Sequence, residues 1–163
     1  MNQPAAEIFW PAAFDLSTRP VRVHNQLAMS IPAAQIWAWL TRAPLWPIWY
    51  PNSKNVRIVE GDPVDLAFGS RFRWSTFSVG IQSEVQKFDP GKQIGWDARG
   101  LGVFAYHAWL IRETPEGCHV FTEERQHGWA ARLQAALTPQ RMSSGHQIWL
   151  ERLRNCAGGG LPG

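Results

Sequence analysis

Residues 103–127 read VFAYHAWLIRETPEGCHVFTEERQH, and this stretch decides the fold because it predicts one long β-hairpin. Apolar and polar residues alternate on both sides of residues 114–117, whose Thr-Pro-Glu-Gly sequence favours a turn. A four-residue loop there places His107 opposite Glu124. The same count gives four further cross-strand pairs: Glu113 with Cys118, Ile111 with Val120, Trp109 with Thr122, and Ala105 with Gln126. Since cross-strand partners point to one face of a sheet, His107 and Glu124 are expected to share a face.

Two earlier turns extend this register. A four-residue loop at 99–102 pairs Trp96 with Ala105 and Ile94 with His107, and a loop at 89–92 pairs Val85 with Trp96. The strand at 81–88 carries Gln82, Glu84 and Gln86 on its other face, which predicts that this other face is wet. The covered face is expected to hold Trp74, Ile81, Val85, Ile94, Trp96, His107, Trp109, Ile111, Val120, Thr122 and Glu124.

The remaining elements flank this sheet. The pattern before the hairpin predicts a strand at 21–30, a helix opened by Pro32, a short aromatic helix at 46–50, and strands at 56–59, 70–77, 81–88 and 93–99. After it, residues 130–137 have helical composition, and Thr138-Pro139 resembles an N-cap followed by a first-turn proline. One face of a long last helix is then predicted to hold Met142, Gly145, His146, Trp149, Leu153 and Cys156. Strands joined by short turns and helices on one face indicate an α+β architecture.

Composition narrows the function classes. The chain has 163 residues, one domain's length, and a net charge of +3 with no basic run, so no nucleic-acid partner is expected. No apolar window is long enough for a membrane span, and residues 1–15 lack the pattern of a signal peptide. Two cysteines fit a reducing cytoplasm, and the chain is expected to be a monomer or homodimer without a cofactor. Ten tryptophans indicate either a very aromatic core or an apolar pocket.

Several short motifs occur in a fixed order along the chain. They are SIPAAQIW at 30–37, WPIWYP at 46–51, FGS at 68–70, FDPG at 88–91, HAW at 107–109, GCHVFT at 117–122 followed by Glu124, and WLERL at 149–153. In this order they resemble the START / polyketide cyclase / birch-pollen-allergen-like superfamily (SRPBCC), over residues 21–157. The resemblance implies a helix-grip fold, in which a seven-stranded antiparallel sheet wraps around the last helix and two short helices follow strand 1. It also implies a cavity for an apolar molecule, but it does not select one activity.

This organisation predicts three segments. Residues 1–19 are an N-terminal arm with an apolar patch at 8–10, residues 20–157 are a START-like ligand-binding domain, and residues 158–163 are a flexible tail.

His107 and Glu124 are the sharpest candidate site. A carboxylate beside an imidazole is a useful proton-transfer unit, and the ring closures of the cyclase branch need such a group. A buried polar pair that fixes the sheet register is the structural alternative. The candidate ligand-binding residues are Trp74, Trp96, His107, Trp109, Thr122, Glu124, His146 and Trp149.

Other polar residues are expected to be structural. His146 would complete a two-histidine, one-carboxylate metal set with His107 and Glu124, but the spacing matches no metal motif, and a hydrogen-bonded core histidine is expected instead. Alternation points Glu123 and Arg125 towards water. No reactive thiol is expected, because neither cysteine has an evident basic neighbour.

Three functions remain open at this point. The first is a carrier or binder of a hydrophobic small molecule, such as a lipid, a polyketide or another aromatic or isoprenoid-like compound. The second is an aromatase/cyclase-type enzyme that uses the His107–Glu124 pair. The third is a protein-interaction module that uses exposed aromatic residues, either Trp46, Trp49 and Tyr50 or the patch at 8–10.

Overall fold

The computed structural model describes residues 7–163 and confirms the α+β helix-grip fold. The strands are β1 (Val21–Met29), β2 (Ser53–Glu60), β3 (Arg71–Thr76), β4 (Val79–Asp89), β5 (Gln93–Gly100), β6 (Val103–Thr114) and β7 (Gly117–His127). The helices are α1 (Ala33–Thr41), α2 (Trp46–Trp49), α3 (Trp129–Leu137) and α4 (Arg141–Gly158), with single 3-10 turns at Ala12–Phe14, Leu16–Thr18 and Ala43–Leu45. One antiparallel sheet forms in the order β1-β7-β6-β5-β4-β3-β2.

The predicted register of the β6–β7 hairpin is confirmed for every pair, including His107 with Glu124. The predicted pairing of Val85 with Trp96 is also confirmed, next to a bulge in β4. The four-residue loop at 99–102 is wrong, because the sheet continues through Gly100 and only two residues turn. Trp96 therefore pairs with His107 rather than with Ala105, and Ile94 pairs with Trp109 rather than with His107. An error of two residues keeps every side chain on its predicted face, because the side-chain period of a strand is two.

Helix α4 packs across the inner face of the sheet. Its buried residues are Gly145, His146, Trp149, Leu150, Leu153 and Ala157, so the predicted stripe is confirmed at its centre, but Met142 and Cys156 are only partly buried. The predicted cap is wrong: Thr138 ends α3, donating its N–H to the Gln134 carbonyl, and α4 begins at Arg141 without a side-chain cap.

The core is aromatic and centred on Trp149. Tyr50 stacks on Trp149 with ring centroids 4.4 Å apart and planes 7° from parallel, and Trp46 meets the same indole edge-on at 5.2 Å. The prediction that Trp46, Trp49 and Tyr50 form an exposed patch is therefore wrong, since they are 0%, 5% and 0% exposed. A helix of four residues is too short for its spacing to indicate which side is buried, and here α2 turns its rings into the core.

The outer face of the sheet is wet at β4 but covered at β6 and β7. Ile8 and Phe14 of the arm are buried there and pack in one cluster with Tyr106. Glu123 and Arg125, which were expected to face water, lie beneath the arm, and that expectation is wrong. Alternation identifies the face of each residue correctly, but it contains no information about a distant segment that covers the face.

The C-terminal residues of the chain are held against the domain by hydrogen bonds. The Trp39 indole N–H donates to the Gly160 carbonyl at 2.7 Å, and Arg42 donates to the Gly163 carbonyl at 2.7 Å. Residues 158–163 were predicted to be a flexible tail, and that prediction did not include these contacts. Of the predicted arm 1–19, residues 1–6 lie outside the described residues. Within residues 7–163, no helix is long and apolar enough to cross a membrane.

Candidate functional site

A partly open cavity of about 50 Å³ lies between the sheet and the helices α3 and α4. It is lined by Trp74, Thr76, Phe77, Val79, Ile81, Trp96, Ala98, Val103, Ala105, His107, Glu124, Gln126, Gln134, Met142, His146 and Trp149. The lining residues of β5, β6 and β7 all lie towards the β5–β6 turn. The cavity therefore occupies one end of the inner face, and its space corresponds to a few water molecules.

Glu124 is the polar centre of this cavity. Its carboxylate oxygen Oε2 lies 3.1 Å from His146 Nε2 and 3.4 Å from His107 Nδ1. Its other oxygen, Oε1, accepts a hydrogen bond of 2.5 Å from the Gln126 side-chain amide. A carboxylate oxygen has about two lone-pair positions, and the Gln126 amide occupies one on Oε1, so one position on Oε1 remains for a further donor.

Thr122 orients His107 from behind. The Thr122 hydroxyl oxygen lies 2.6 Å from His107 Nε2. When the hydroxyl donates to Nε2, the proton of the neutral ring is on Nδ1, the nitrogen that faces Glu124. In that tautomer the Nδ1 proton is directed towards the Glu124 carboxylate.

The protonation states follow from burial and contact. Burial, together with the nearby His146, lowers the pKa of His107 to about 3, in spite of the opposing charge of Glu124. Burial opposes ionisation of Glu124, but the hydrogen bond from His146, the nearby His107 and the Gln126 amide outweigh it and lower the pKa. At neutral pH the cavity therefore contains an ionised carboxylate beside a neutral His107 imidazole.

His107, Glu124 and His146 also bring three possible metal-ligand atoms within 4.8 Å of one another. The two imidazoles are stacked with centroids 4.7 Å apart and planes 14° from parallel. An imidazole binds a metal in its own plane, and the lone pairs of stacked rings lie in separate, nearly parallel planes. One ring would have to rotate before both could hold the same ion.

The structure places six of the eight predicted ligand-binding residues on the cavity wall: Trp74, Trp96, His107, Glu124, His146 and Trp149. Trp109 and Thr122 do not line it. They form the Trp109–Thr122 pair, two cross-strand pairs farther from the β5–β6 turn than the His107–Glu124 pair, where aromatic packing fills the space. Trp109 is fully buried in the core, with its ring centroid 5.2 Å from that of Trp149.

The sequence analysis did not predict the residues at the mouth of the cavity, where Phe77 packs against α4. Phe77 and Ser78 form the β3–β4 turn with φ angles of 49° and 67°, which non-glycine residues seldom adopt. The Phe77 ring packs against Gly145 of α4 so closely that a methyl group on Gly145 would overlap it. Gln126 was recoverable, because it follows Glu124 by two residues and so shares its face. A strained turn leaves no comparable pattern in the sequence.

The family model described as "Polyketide cyclase / dehydrase and lipid transport" matches residues 20–156. No curated protein matches the sequence. A crystal structure of the hypothetical protein jhp0584 from Helicobacter pylori is 26% identical, with a TM-score of 0.85, covering 96% of this chain and 97% of that one.

Two other solved structures share the fold at lower identity. Ara h 8.0201 has a TM-score of 0.67 at 12% identity, covering 85% of this chain and 98% of that one. The di-domain ARO/CYC StfQ from the steffimycin biosynthetic pathway has a TM-score of 0.71 at 14% identity, covering 90% of this chain and 55% of that one. At these identities, the similarity shows the fold alone and does not identify a ligand.

Proposed function

Because the chain belongs to the polyketide cyclase / dehydrase and lipid transport family, we propose that it binds a small, flat, apolar molecule that carries a hydroxyl group. The ligand lies between the sheet and α4, with Trp74, Trp96 and Trp149 against its apolar surface. Its hydroxyl donates to the free lone-pair position of Glu124 Oε1.

One observation supports this proposal above the others: an ionised, buried carboxylate lies in an otherwise mainly apolar cavity. Glu124 is 9% exposed and its pKa is lowered, so it accepts hydrogen bonds at neutral pH. A hydrogen bond to a charged group contributes about 1.5–3 kcal/mol, against about 0.5–1.5 kcal/mol for a neutral pair. An aromatic hydroxyl satisfies this acceptor, while its ring occupies apolar space.

The size of the cavity limits the ligand. Pockets for drug-sized molecules measure roughly 300–1,000 Å³, well above the space found here. A ligand of even two fused rings therefore requires the mouth to widen, and Phe77 is the residue whose side chain closes it against α4. Long-chain lipids fit this cavity less well than compact aromatic compounds do.

Binding of 2-naphthol, with naphthalene as the matched compound lacking the hydroxyl, tests the proposal. The parent protein should bind 2-naphthol more tightly, and Glu124→Gln should reduce that preference about fivefold or more, since a charge-assisted hydrogen bond becomes a neutral one. Glu123→Gln is the control, because Glu123 is also buried but faces the arm on the other side of the sheet. Equal affinity of the parent for both compounds would refute the role of Glu124.

An aromatase/cyclase-type enzyme is the second candidate, and the two imidazoles beside Glu124 favour it. In this function the ionised carboxylate removes a proton from an enolisable carbon of the ligand, and the neutral His107 imidazole orients the carboxylate. The test is deuterium exchange at the central carbon of 1-phenyl-1,3-butanedione, followed by NMR. Exchange faster than in buffer that Glu124→Gln abolishes supports the enzyme, and exchange at the buffer rate leaves binding alone.

A further inference from the structure

An exposed apolar stripe runs along α3, beside the mouth of the cavity. Trp129, Leu133 and Leu137 are 65%, 51% and 71% exposed. Residues four apart lie on one side of a helix, so the three side chains form a continuous row. Of the nine residues of α3, Ala131 is the buried one, and the helix therefore presents most of its apolar surface to solvent.

The stripe continues onto the β5–β6 turn. Leu101 at this turn is 82% exposed. The Ala130 N–H donates to the Gly102 carbonyl at 3.1 Å, and a methyl group on Gly102 would lie 2.6 Å from the Trp129 indole. The turn and the start of α3 are thus packed directly together, and Leu101 extends the row past Trp129.

The charged side chains of α3 and of the start of α4 have one sign. Arg132 and Arg141 are exposed, and neither forms an ion pair anywhere in residues 7–163. The sequence contains no aspartate or glutamate from 125 to 150. We call Leu101, Trp129, Leu133 and Leu137, together with these two arginines, the α3 surface. Apolar side chains flanked by unpaired arginines complement a surface that is apolar inside and negatively charged outside.

We propose that the α3 surface docks on a lipid bilayer that carries anionic headgroups. Trp129 lies at the interface, where an indole is favoured, the leucines enter the outer hydrocarbon, and the arginines meet the phosphates. A symmetric dimer through the same surface would bring Arg132 and Arg141 of both copies together without an acidic partner. The chemistry therefore favours a membrane over a second copy of the chain.

Docking in this orientation places the cavity mouth near the bilayer. Gln134 of α3 and Met142 of α4 both line the cavity. In the sequence they lie on either side of Leu137, the last residue of α3. An apolar ligand would then pass between bilayer and cavity without crossing bulk water. The docking itself needs no ligand, so it stands or falls separately from the proposed function.

Co-sedimentation with vesicles tests the proposal without any cavity ligand. The parent protein should sediment with vesicles of phosphatidylcholine containing phosphatidylglycerol at low salt, and much less with phosphatidylcholine alone or at high salt. Arg132→Gln and Arg141→Gln should each lower the partition coefficient about fivefold. The double variant Leu133→Ser/Leu137→Ser should lower it about tenfold or more.

Ile48→Ser and Phe68→Ser are the matched controls, because these side chains are 78% and 72% exposed but lie on α2 and the β2–β3 loop. They should sediment as the parent does. Absence of parent sedimentation at low salt, or equal losses in controls and leucine variants, would overturn the proposal. So would sedimentation velocity showing a parent dimer that the leucine double variant dissociates, since the occupant would then be a second copy.

Discussion

Acid should destabilise this protein in a pH range where its carboxylates are still ionised, because His107 is buried in the neutral form. Its pKa is lowered by burial from 6.5 to about 3. The unfolded chain therefore takes up a proton at this residue as the pH falls through 6.5, while the folded protein does not until about pH 3. A group that binds more protons in the unfolded state lowers the free energy of unfolding as the pH falls.

The size of the effect follows from the two pKa values. Each pH unit between them costs about 1.4 kcal/mol. Relative to pH 8, the loss due to His107 is about 1.4 kcal/mol at pH 5.5 and about 2.7 kcal/mol at pH 4.5. Below pH 4.5 the curve should steepen. Burial opposes ionisation of Glu123, but hydrogen bonds from groups that include His24 and Arg22 lower its pKa to about 2. The stability that ionised Glu123 contributes is therefore lost as the pH falls from 4.5 to 2.

Urea unfolding followed by tryptophan emission, from pH 8 to pH 4.5, measures this loss in the parent and in His107→Gln. The variant is less stable at pH 8, but its free energy of unfolding should fall by about 2.7 kcal/mol less over the range. His119→Gln is the comparison variant: His119 is only partly buried and burial lowers its pKa too, so this variant should change the pH dependence in the same direction but by less. A parent that becomes more stable from pH 7 to pH 5.5 would refute the reasoning, since the attraction of Glu124 would then outweigh burial and raise the pKa of His107.

Four substitutions separate the roles of core, mouth and arm. Trp109→Ala should cost about 3–5 kcal/mol of stability in urea unfolding and leave the 2-naphthol affinity of the folded protein unchanged, whereas Trp96→Ala should change both. Gly145→Ala should displace Phe77, so 2-naphthol should associate faster in stopped-flow measurements. The destabilisation caused by the overlap is partly offset by about 1 kcal/mol of helix propensity. An unchanged association rate would show that Phe77 does not close the mouth. Glu123→Gln should cost about 3–5 kcal/mol in thermal unfolding, because Arg22 and Arg125 lose their shared buried partner, and proteolysis of the arm should quicken; an unaffected arm would contradict this role.

Turn chemistry explains why so much of the sheet was predictable. The turn at 114–117 is centred between Pro115 and Glu116 whether two or four residues form the loop, and this centre determined every pair along β6 and β7. The stretch at 99–102 contains two glycines, and the sequence does not distinguish a turn through both from a turn at Leu101 and Gly102 alone. Only Gly102 adopts a positive φ, of 71°, while Gly100 remains in the sheet. A shift of two residues between β5 and β6 leaves every side chain on the same face, so the pattern does not reveal such a shift. For the same reason the predicted faces were correct.

The candidate site was predictable in its polar residues and less so in its walls. His107 and Glu124 follow from the hairpin, and His146 follows from the stripe of α4. Whether an inward indole lines a cavity or fills a core depends on its distance from the open end of the sheet. Trp96 and Trp109 both point inward, but only Trp96 reaches the cavity. Alternation along a strand predicts which way a side chain points, but it does not predict how much empty space lies in front of that side chain.

The position of Glu124 relates the packing of this molecule to its proposed chemistry. From the Trp109–Thr122 pair onward, away from the β5–β6 turn, the inner face is filled by aromatic packing, and from the His107–Glu124 pair towards that turn it is hollow. Register alone does not require a carboxylate at this boundary, because the hairpin turn already sets all the pairs. Apolar residues of similar volume often stabilise a core as well as a buried charged group does. The carboxylate lies between His146 and Gln126 and keeps one acceptor position open at the point where the cavity begins, which is the arrangement that recognition of a hydroxyl group needs.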